Sequence, residues 1–321
     1  MLLVLAALSF VIAFAAVRVL VRRYGRFALD EPNDRSLHVR PVPRTGGLAI
    51  LAGASMAVVF IGSQLWLVML LSLLLAALSF YDDLYRLGNR ARLAAHVLAA
   101  SLIVWYFLSP MHPIELILLG LAVVWVTNLY NFMDGADGVA GGMAVIGFGA
   151  YAIAAALAEH FALAALSTAI AAASLAFLLH NFHPARIFLG DVGSIPLGFL
   201  AAALGLVGWR LDAWPLWFPL LVFGPFNADA TVTLLKRLIR HEKVWRPHRD
   251  HYYQRIVRMG LGHRAAALIG YVVMVFCAAM ALLGRGQAPA LQGTAFVVAS
   301  AALGGLALWV DMRWARFAGT T

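Results

Sequence analysis

The sequence predicts an all-α, polytopic integral membrane protein, and three observations carry that prediction. Hydrophobic residues make up 63% of the 321 positions, charged residues only 12%, and mean hydropathy is +0.86. A soluble domain carries about twice that charge. Apolar runs long enough to cross a hydrocarbon core of about 30 Å recur along the whole chain. In lipid such runs must satisfy their own backbone polar groups, as helices do. Finally, the cations are sorted. Assigning alternate loops to two sides puts 22 of the 24 Lys and Arg on one side and leaves Arg210 and Arg285 on the other.

About eleven spans are expected, near 2–21, 46–63, 65–81, 92–109, 114–131, 139–157, 161–180, 193–209, 214–235, 264–283 and 291–310. The first has no basic segment before it and its positive charges follow it, so it reads as a retained helix rather than a cleaved signal. Only Gly62, Ser63 and Gln64 separate the second from the third, and a short turn there makes a tight helical hairpin. Further on, Pro110 and Pro113, then Pro184, then the stretch 284–289 break the pattern. Cys277 sits in YVVMVFCAAM and reads as a small buried hydrophobe. A lone Cys leaves no disulfide framework and no Cys-rich metal site. No repeat and no linker is visible, so residues 1–321 form a single transmembrane domain. The cation-rich side is cytoplasmic, with the N-terminus outside, the C-terminus inside and cytoplasmic loops near 22–45, 82–92, 132–139, 181–193 and 236–264. The formal charge of +9 is therefore mostly topological and does not call for nucleic acid.

Against that background five carboxylates stand out: Asp82 and Asp83 in SFYDDLYR, Asp134 and Asp137 in NLYNFMDGADG, and Asp191 in RIFLGDVGS. Ionised groups in apolar segments are costly and mark function. All five fall on the cytoplasmic side. Adjacent acids point about 100° apart on a helix, so Asp82 and Asp83 can serve different partners. Local ion pairs with Arg86 are the plainer alternative. Asn128, Asn131, Asp134 and Asp137 recur every third residue; a 3₁₀ segment would align them, while an α-helix would rotate them by about half a turn. Asp191 lies between two glycines where a helix begins and could act as its N-cap. Carboxylate and amide oxygens without Cys suit a hard ion such as Mg²⁺, with Mn²⁺ as the alternative, shared with substrate phosphates. A basic, aromatic loop follows, RPHRDHYYQR at 246–255, whose cations and imidazoles suit a phosphate, a uracil or a sugar. His248 and His251 alone make a poor Zn²⁺ site. Asn33, Arg35, His38, Arg44, Gly46 and Gly47 form a second basic stretch on the same side. Asp229, in FNADATVTLL, lies a turn or two inside the membrane edge, and its role stays open between supporting the site, pairing with a base and being protonated.

These motifs resemble the polyprenyl-phosphate N-acetylhexosamine-1-phosphate transferases, the WecA/MraY-type membrane superfamily of glycosyltransferase family 4. The matches are HxxPxPRTGG at 38–47, the YDD run at 81–83, NxxNFMDGADG at 128–138, FLGDVGS at 188–194 and PHRDHYYQR at 247–255. They occur in order, on one side of the membrane, and cover nearly the whole chain. The resemblance implies transfer of a sugar 1-phosphate from a UDP-sugar to undecaprenyl phosphate, releasing UMP, at the cytoplasmic face of a bacterial inner membrane. It implies Mg²⁺ on Asp191, with Asp134 contributing. Asp82 and Asp83 would act on the lipid phosphate. Asn128, Asn131, Asp134 and Asp137 would line the donor site, His248, Arg249 and His251 would recognise the sugar nucleotide, and Arg44 would lie near phosphate. A homodimer is compatible with it.

One departure narrows the donor. The pentapeptide-transferring branch carries three consecutive histidines where this chain has HRDH at 248–251. The chain is closer to the branch that initiates O-antigen and related polysaccharides, with an N-acetylated hexosamine as the sugar. The pentapeptide donor is the alternative within the superfamily. A cation-coupled transporter is the alternative from another class, and predicts acids near the midplane and internal symmetry.

Overall fold

The computed structural model describes residues 1–25, 28–31, 37–38, 41–60, 63–85, 87–244, 246 and 248–319. The chain is an all-α polytopic membrane protein. Its helices are α1 (Leu2–Arg23), α2 (Gly46–Ala54), α3 (Ser63–Tyr85), α4 (Asn89–Leu108), α5 (Pro113–Phe132), α6 (Val139–Leu157) and α7 (Phe161–Asn181). They continue with α8 (Asp191–Arg210), α9 (Trp217–Val222), α10 (Gly224–Ile239), α11 (Tyr252–Ile256), α12 (Gly262–Gly284) and α13 (Pro289–Ala318). A two-residue antiparallel ribbon pairs β1 (Leu29–Asp30) with β2 (Val42–Pro43).

Among the described residues nine helical stretches are long and apolar enough to cross a membrane, with α11 and α12 counted as one. Two of the eleven expected spans are interrupted rather than continuous helices and so fall outside that nine. The span expected at 46–63 is the nine residues of α2 running into a 3₁₀ turn, Ser55–Val59; Arg44 just before it pairs with Asp83 at the end of α3, so this broken segment runs the length that α3 then covers in return. The span expected at 214–235 is broken at Phe223, where Gly224 and Pro225 begin a new helix. Proline supplies no N–H to continue α9. Gly62, in the expected hairpin turn, lies outside the described residues.

The core is graded. Helix α8 is buried along nearly its whole length and packs against α2, α3 and α5, while α7 lies between α1, α2 and α6. Helix α13 is buried at Ala299 and Val310 and otherwise turns outward. Small residues let these helices approach closely, as packing inside a lipid solvent favours. A Cβ on Gly47 would lie 2.1 Å from the Cα of Gly193, so the starts of α2 and α8 touch backbone to backbone.

That contact is stitched by hydrogen bonds. Phe188 N–H donates to the Pro43 carbonyl at 2.8 Å, Gly46 N–H to Phe188 at 2.9 Å and Gly47 N–H to Leu189 at 3.0 Å. Gly190 then turns the chain into α8 with φ 70° and ψ 169°, a region open essentially to glycine alone. Asp191 is thus the first helical residue rather than the N-cap. Its carboxylate still sits at the positive end of the α8 dipole.

Gly190→Ala is therefore expected to destabilise the protein, because its Cβ would meet the Arg44 carbonyl oxygen at 2.1 Å on top of the backbone strain. The strain alone is about 1–3 kcal/mol. Thermal unfolding in detergent checks this. The control is Gly120→Ala, where no atom lies within 4 Å of the new Cβ and helix propensity favours alanine.

Candidate active site

The stitched segments place the acids together at one end of the bundle. The last turn of α3 carries Asp82 and Asp83, α4 brings Arg92, α5 ends with Asn131, and α8 begins with Asp191. Arg92 lies between two carboxylates, its Nη1 3.2 Å from Asp82 Oδ2 and its Nη2 2.7 Å from Asp191 Oδ2. Arg44 pairs with Asp83 at 3.0 Å. Each member of the acidic pair thus has its own guanidinium, in keeping with their different headings on the helix. Arg86 lies outside the described residues.

Asn131 Nδ2 donates to Asp191 Oδ1 and to Ser194 Oγ, both at 2.8 Å, which fixes the Asp191 side chain from the α5 side. Asp134 follows in the loop after α5. Burial, and secondarily the neighbouring Asp191 charge, push its carboxyl well above the usual carboxylate range, against a hydrogen bond from the Gly190 backbone. Two acids that disfavour each other's ionised form are a place where a cation would be favoured.

These groups border a cavity of about 490 Å³. Arg44, Asn131, Asp134, Asp191, His248 and His251 line it, and Phe188, His38 and Tyr253 add aromatic surface. Asp82 and Asp83 stand behind this lining, reaching it through Arg92 and Arg44. The three-residue spacing does not hold its members together. Helix α5 stops at Phe132 because the following Asp-Gly-Ala-Asp-Gly is poor helix material. Asn128 turns back to the Val124 carbonyl of its own helix at 2.7 Å and does not line the cavity. Asp137 is buried elsewhere: its carboxylate accepts from His183 Nδ1 at 2.7 Å and from the Ala185 N–H at 3.1 Å. His263 also meets this residue, taking the Asp137 backbone N–H on Nδ1 at 3.2 Å. There Asp137 ties together the loops after α5 and α7 and the start of α12.

From the last turn of α10, Arg237 pairs with Glu242 and with Asp250 in the loop that follows. Asp229 accepts a hydrogen bond from His251 and from the first backbone N–H groups of α11. Arg249 does not line the cavity, and its carbonyl accepts from Arg258 at 2.9 Å. Asn33 and Arg35 lie outside the described residues. Sequence reasoning left Arg92 and Phe188 unassigned. Phe188 opens a motif that was noticed, FLGDVGS, whereas nothing local to Arg92 shows that it reaches Asp191, 99 residues away.

Comparison with known proteins follows this geometry. The model of glycosyl transferase family 4 matches residues 65–208. A decaprenyl-phosphate N-acetylglucosaminephosphotransferase of Mycolicibacterium smegmatis is 32% identical, over 88% of this chain and 82% of its own. The chain belongs to glycosyl transferase family 4. A probable undecaprenyl-phosphate N-acetylglucosaminyl 1-phosphate transferase of Bacillus subtilis is 28% identical, over 83% of this chain and 81% of its own. A phospho-N-acetylmuramoyl-pentapeptide-transferase of Lactiplantibacillus plantarum is also 28% identical, over 62% and 73%. Within this family 4 chain, Asp82, Asp83, Asn131, Asp134 and Asp191 fall inside the matched stretch. Arg44, His248 and His251 reach the same cavity from outside it.

The loop histidine makes a testable statement about charge. Burial, then the nearby His251 and Arg237, bring His248 down to about 4 against the opposing pull of Asp250 and Asp229. It is neutral at pH 7. The unfolded imidazole binds its proton near 6.5, so stability gained from this group is complete above that pH and falls as the pH drops towards 4. A ¹⁵N-histidine spectrum is expected to show one imidazole, removed in His248→Gln, that stays neutral from pH 8 down to about 5.

Proposed function

We propose that this protein transfers an N-acetylhexosamine 1-phosphate from a UDP-sugar to a polyprenyl phosphate, undecaprenyl phosphate in particular. The products are a lipid diphosphate-linked sugar and UMP, at the cytoplasmic face of a bacterial inner membrane, as the first step of O-antigen or another surface polysaccharide. The observation that carries the reading is the cavity in which Asp191 and Asp134 face one another while Arg92 and Arg44 join the Asp82–Asp83 pair to it. Relatives named for transfer onto undecaprenyl- and decaprenyl-phosphate support the acceptor class.

The reaction sets two anions against each other, and these residues answer that need. Arg92 and Arg44 offset phosphate charge, and the fixed planar fork of a guanidinium suits phosphate oxygens. An oxygen of the lipid phosphate attacks the phosphorus that bears the sugar, and the bond from that phosphorus to UMP breaks. A phosphate near pH 7 is already largely ionised, so it needs orientation more than deprotonation. Asp82 and Asp83, each held by an arginine, orient it or take a residual proton. This favours direct attack over an aspartyl-phosphate intermediate, and a phospho-enzyme isolated with donor alone would overturn that choice. Phe188, His38 and Tyr253 offer flat surfaces suited to a base or sugar ring.

The donor set also fits Mg²⁺, with Mn²⁺ as the alternative. Asp191 and Asp134 supply hard oxygens. Among the described residues no group of three His, Cys, Asp or Glu gathers tightly enough to hold an ion alone. That matches an ion usually held by one or two carboxylates plus substrate phosphates. Bound there, Mg²⁺ would supply positive charge to the donor diphosphate.

The sorted cations favour a cytoplasmic site, with the N-terminus outside and the C-terminus inside. HRDH at 248–251 favours a simple amino sugar over a pentapeptide donor.

Purified protein with Mg²⁺, undecaprenyl phosphate and a panel of UDP-sugars is expected to release UMP with at least one donor. No turnover with any of them rejects the reading. Asp191→Asn is expected to abolish turnover while the protein stays folded and inserted; near-normal activity would remove Asp191 from the metal-holding role. Arg92→Lys keeps the charge but cannot span both carboxylates. It is expected to lower kcat/KM by about 100-fold, the scale of a 1 Å misplacement.

A further inference from the structure

We infer that Asp229 is a positioning residue that acts through His251, fixing which imidazole nitrogen is presented to the cavity. The inference deepens the proposed function and rests on that reading for its kinetic part. Asp229 is 9% exposed on a helix whose buried face, Phe226, Asp229, Ala230, Thr233 and Arg237, follows helical spacing. A carboxylate so placed is costly unless it is well bonded. Its donors explain its presence. Oδ1 accepts from His251 Nδ1 at 3.2 Å, from the Tyr252 backbone N–H at 2.9 Å and from Thr233 Oγ1 at 3.3 Å. Oδ2 accepts from the Tyr253 backbone N–H at 3.0 Å.

An ionised carboxylate only accepts hydrogen bonds, so the His251 nitrogen facing it carries the proton. The nitrogen left for the cavity is Nε2. His251 is 4% exposed, and its ring lies between Phe132, 6.3 Å away at 28°, and Tyr253, 6.0 Å away at 19°. It therefore cannot swing freely to present its other edge. The two backbone bonds to Asp229 set where α11 starts, and His251 is the residue just before that start. Tyr253 extends the hold by donating its hydroxyl to the Phe132 carbonyl at 3.0 Å, at the end of α5. One carboxylate thus fixes the position, rotation and tautomer of the imidazole. The arrangement obeys the same logic as a buried acid behind a catalytic histidine, in which the acid touches no substrate.

Two measurements on the full-length protein in nanodiscs test this. In the ¹⁵N-histidine spectrum, the His251 signal, identified by its loss in His251→Ala, is expected to show a protonated Nδ1 in the parent. It should lose that signature in Asp229→Ala, which removes the acceptor of the Nδ1 proton. A parent signal with Nδ1 unprotonated overturns the inference, and this readout stands whether or not any donor turns over. The kinetic arm is a double-mutant cycle. Asp229→Ala and His251→Ala are each expected to lower kcat/KM by about 100-fold, and the double variant should be no worse than His251→Ala. Multiplying losses would mean that Asp229 serves the fold alone, and unchanged kinetics in either single variant also overturns the inference. If Asp229→Ala does not fold, the parent spectrum and His251→Ala decide. Absence of parental turnover rejects the proposed function while the spectrum still judges the Asp229–His251 pair.

Discussion

Carboxylates crowded at one end of an apolar bundle repel one another, and the two arginines set among them are what the rest of the site depends on. Two unit charges at about 4 Å interact by about 4 kcal/mol at the effective dielectric near a protein surface. Left bare, Asp82, Asp83 and Asp191 would push α3 and α8 apart. Arg92 reverses the sign by reaching both helices from α4, and Arg44 holds the remaining acid from the start of α2. Removing one partner of such a half-buried pair costs more than the pair is worth, because the other charge is left uncompensated. Four elements are registered by two side chains.

The two walls of the cavity are built by different physics. One is backbone: 43–47 hydrogen-bonds to 188–189, and Gly47 rests on Gly193 without side chains between them. Such a wall has no rotamers to rearrange, which suits the group proposed to hold a metal ion. The other is made of side chains. Asp229 holds the start of α11, Arg237 holds Asp250, and Asp311 on α13 takes the Tyr252 hydroxyl and Arg255. Arg255 also lies over the Tyr252 and Trp314 rings, which couples the outward-facing α13 to this wall.

Much of this was legible in the sequence, for identifiable reasons. Hydropathy and length mark the long helices because lipid leaves the backbone no other solution. The interruptions at Ser55 and Phe223 were not legible, since a hydropathy run does not report where a helix stops; Gly224 followed by Pro225 was the local sign of the second. The acids were conspicuous because an apolar chain has few. Which of them share a cavity was not legible. Spacing by three treats Asn128, Asn131, Asp134 and Asp137 alike, yet the end of α5 falls among them, sending Asn131 and Asp134 inward and Asp137 to His183. Arg92 could be read as one more loop cation, and only the packing of α4 on α3 and α8 gives it two carboxylates. Asp229 was visible as an acid out of place, but apart from Thr233 on its own helix its partners begin 22 residues later.

This difference between the walls bears on how one scaffold can serve more than one donor. The acids and Arg92 lie within the stretch shared across the family, and their geometry is set by helix ends and backbone bonds. His248 and His251 lie outside that stretch and meet the first wall at Phe132, through the His251 ring and the Tyr253 hydroxyl. A substitution in 246–255 changes the side chains proposed to face the sugar while leaving Arg92 between Asp82 and Asp191. The reverse does not hold. A change at Gly190 or Arg92 moves the group on which any donor's diphosphate would have to sit. The chemistry and the recognition proposed for this site are thus separated in the chain and joined at one aromatic residue, Phe132.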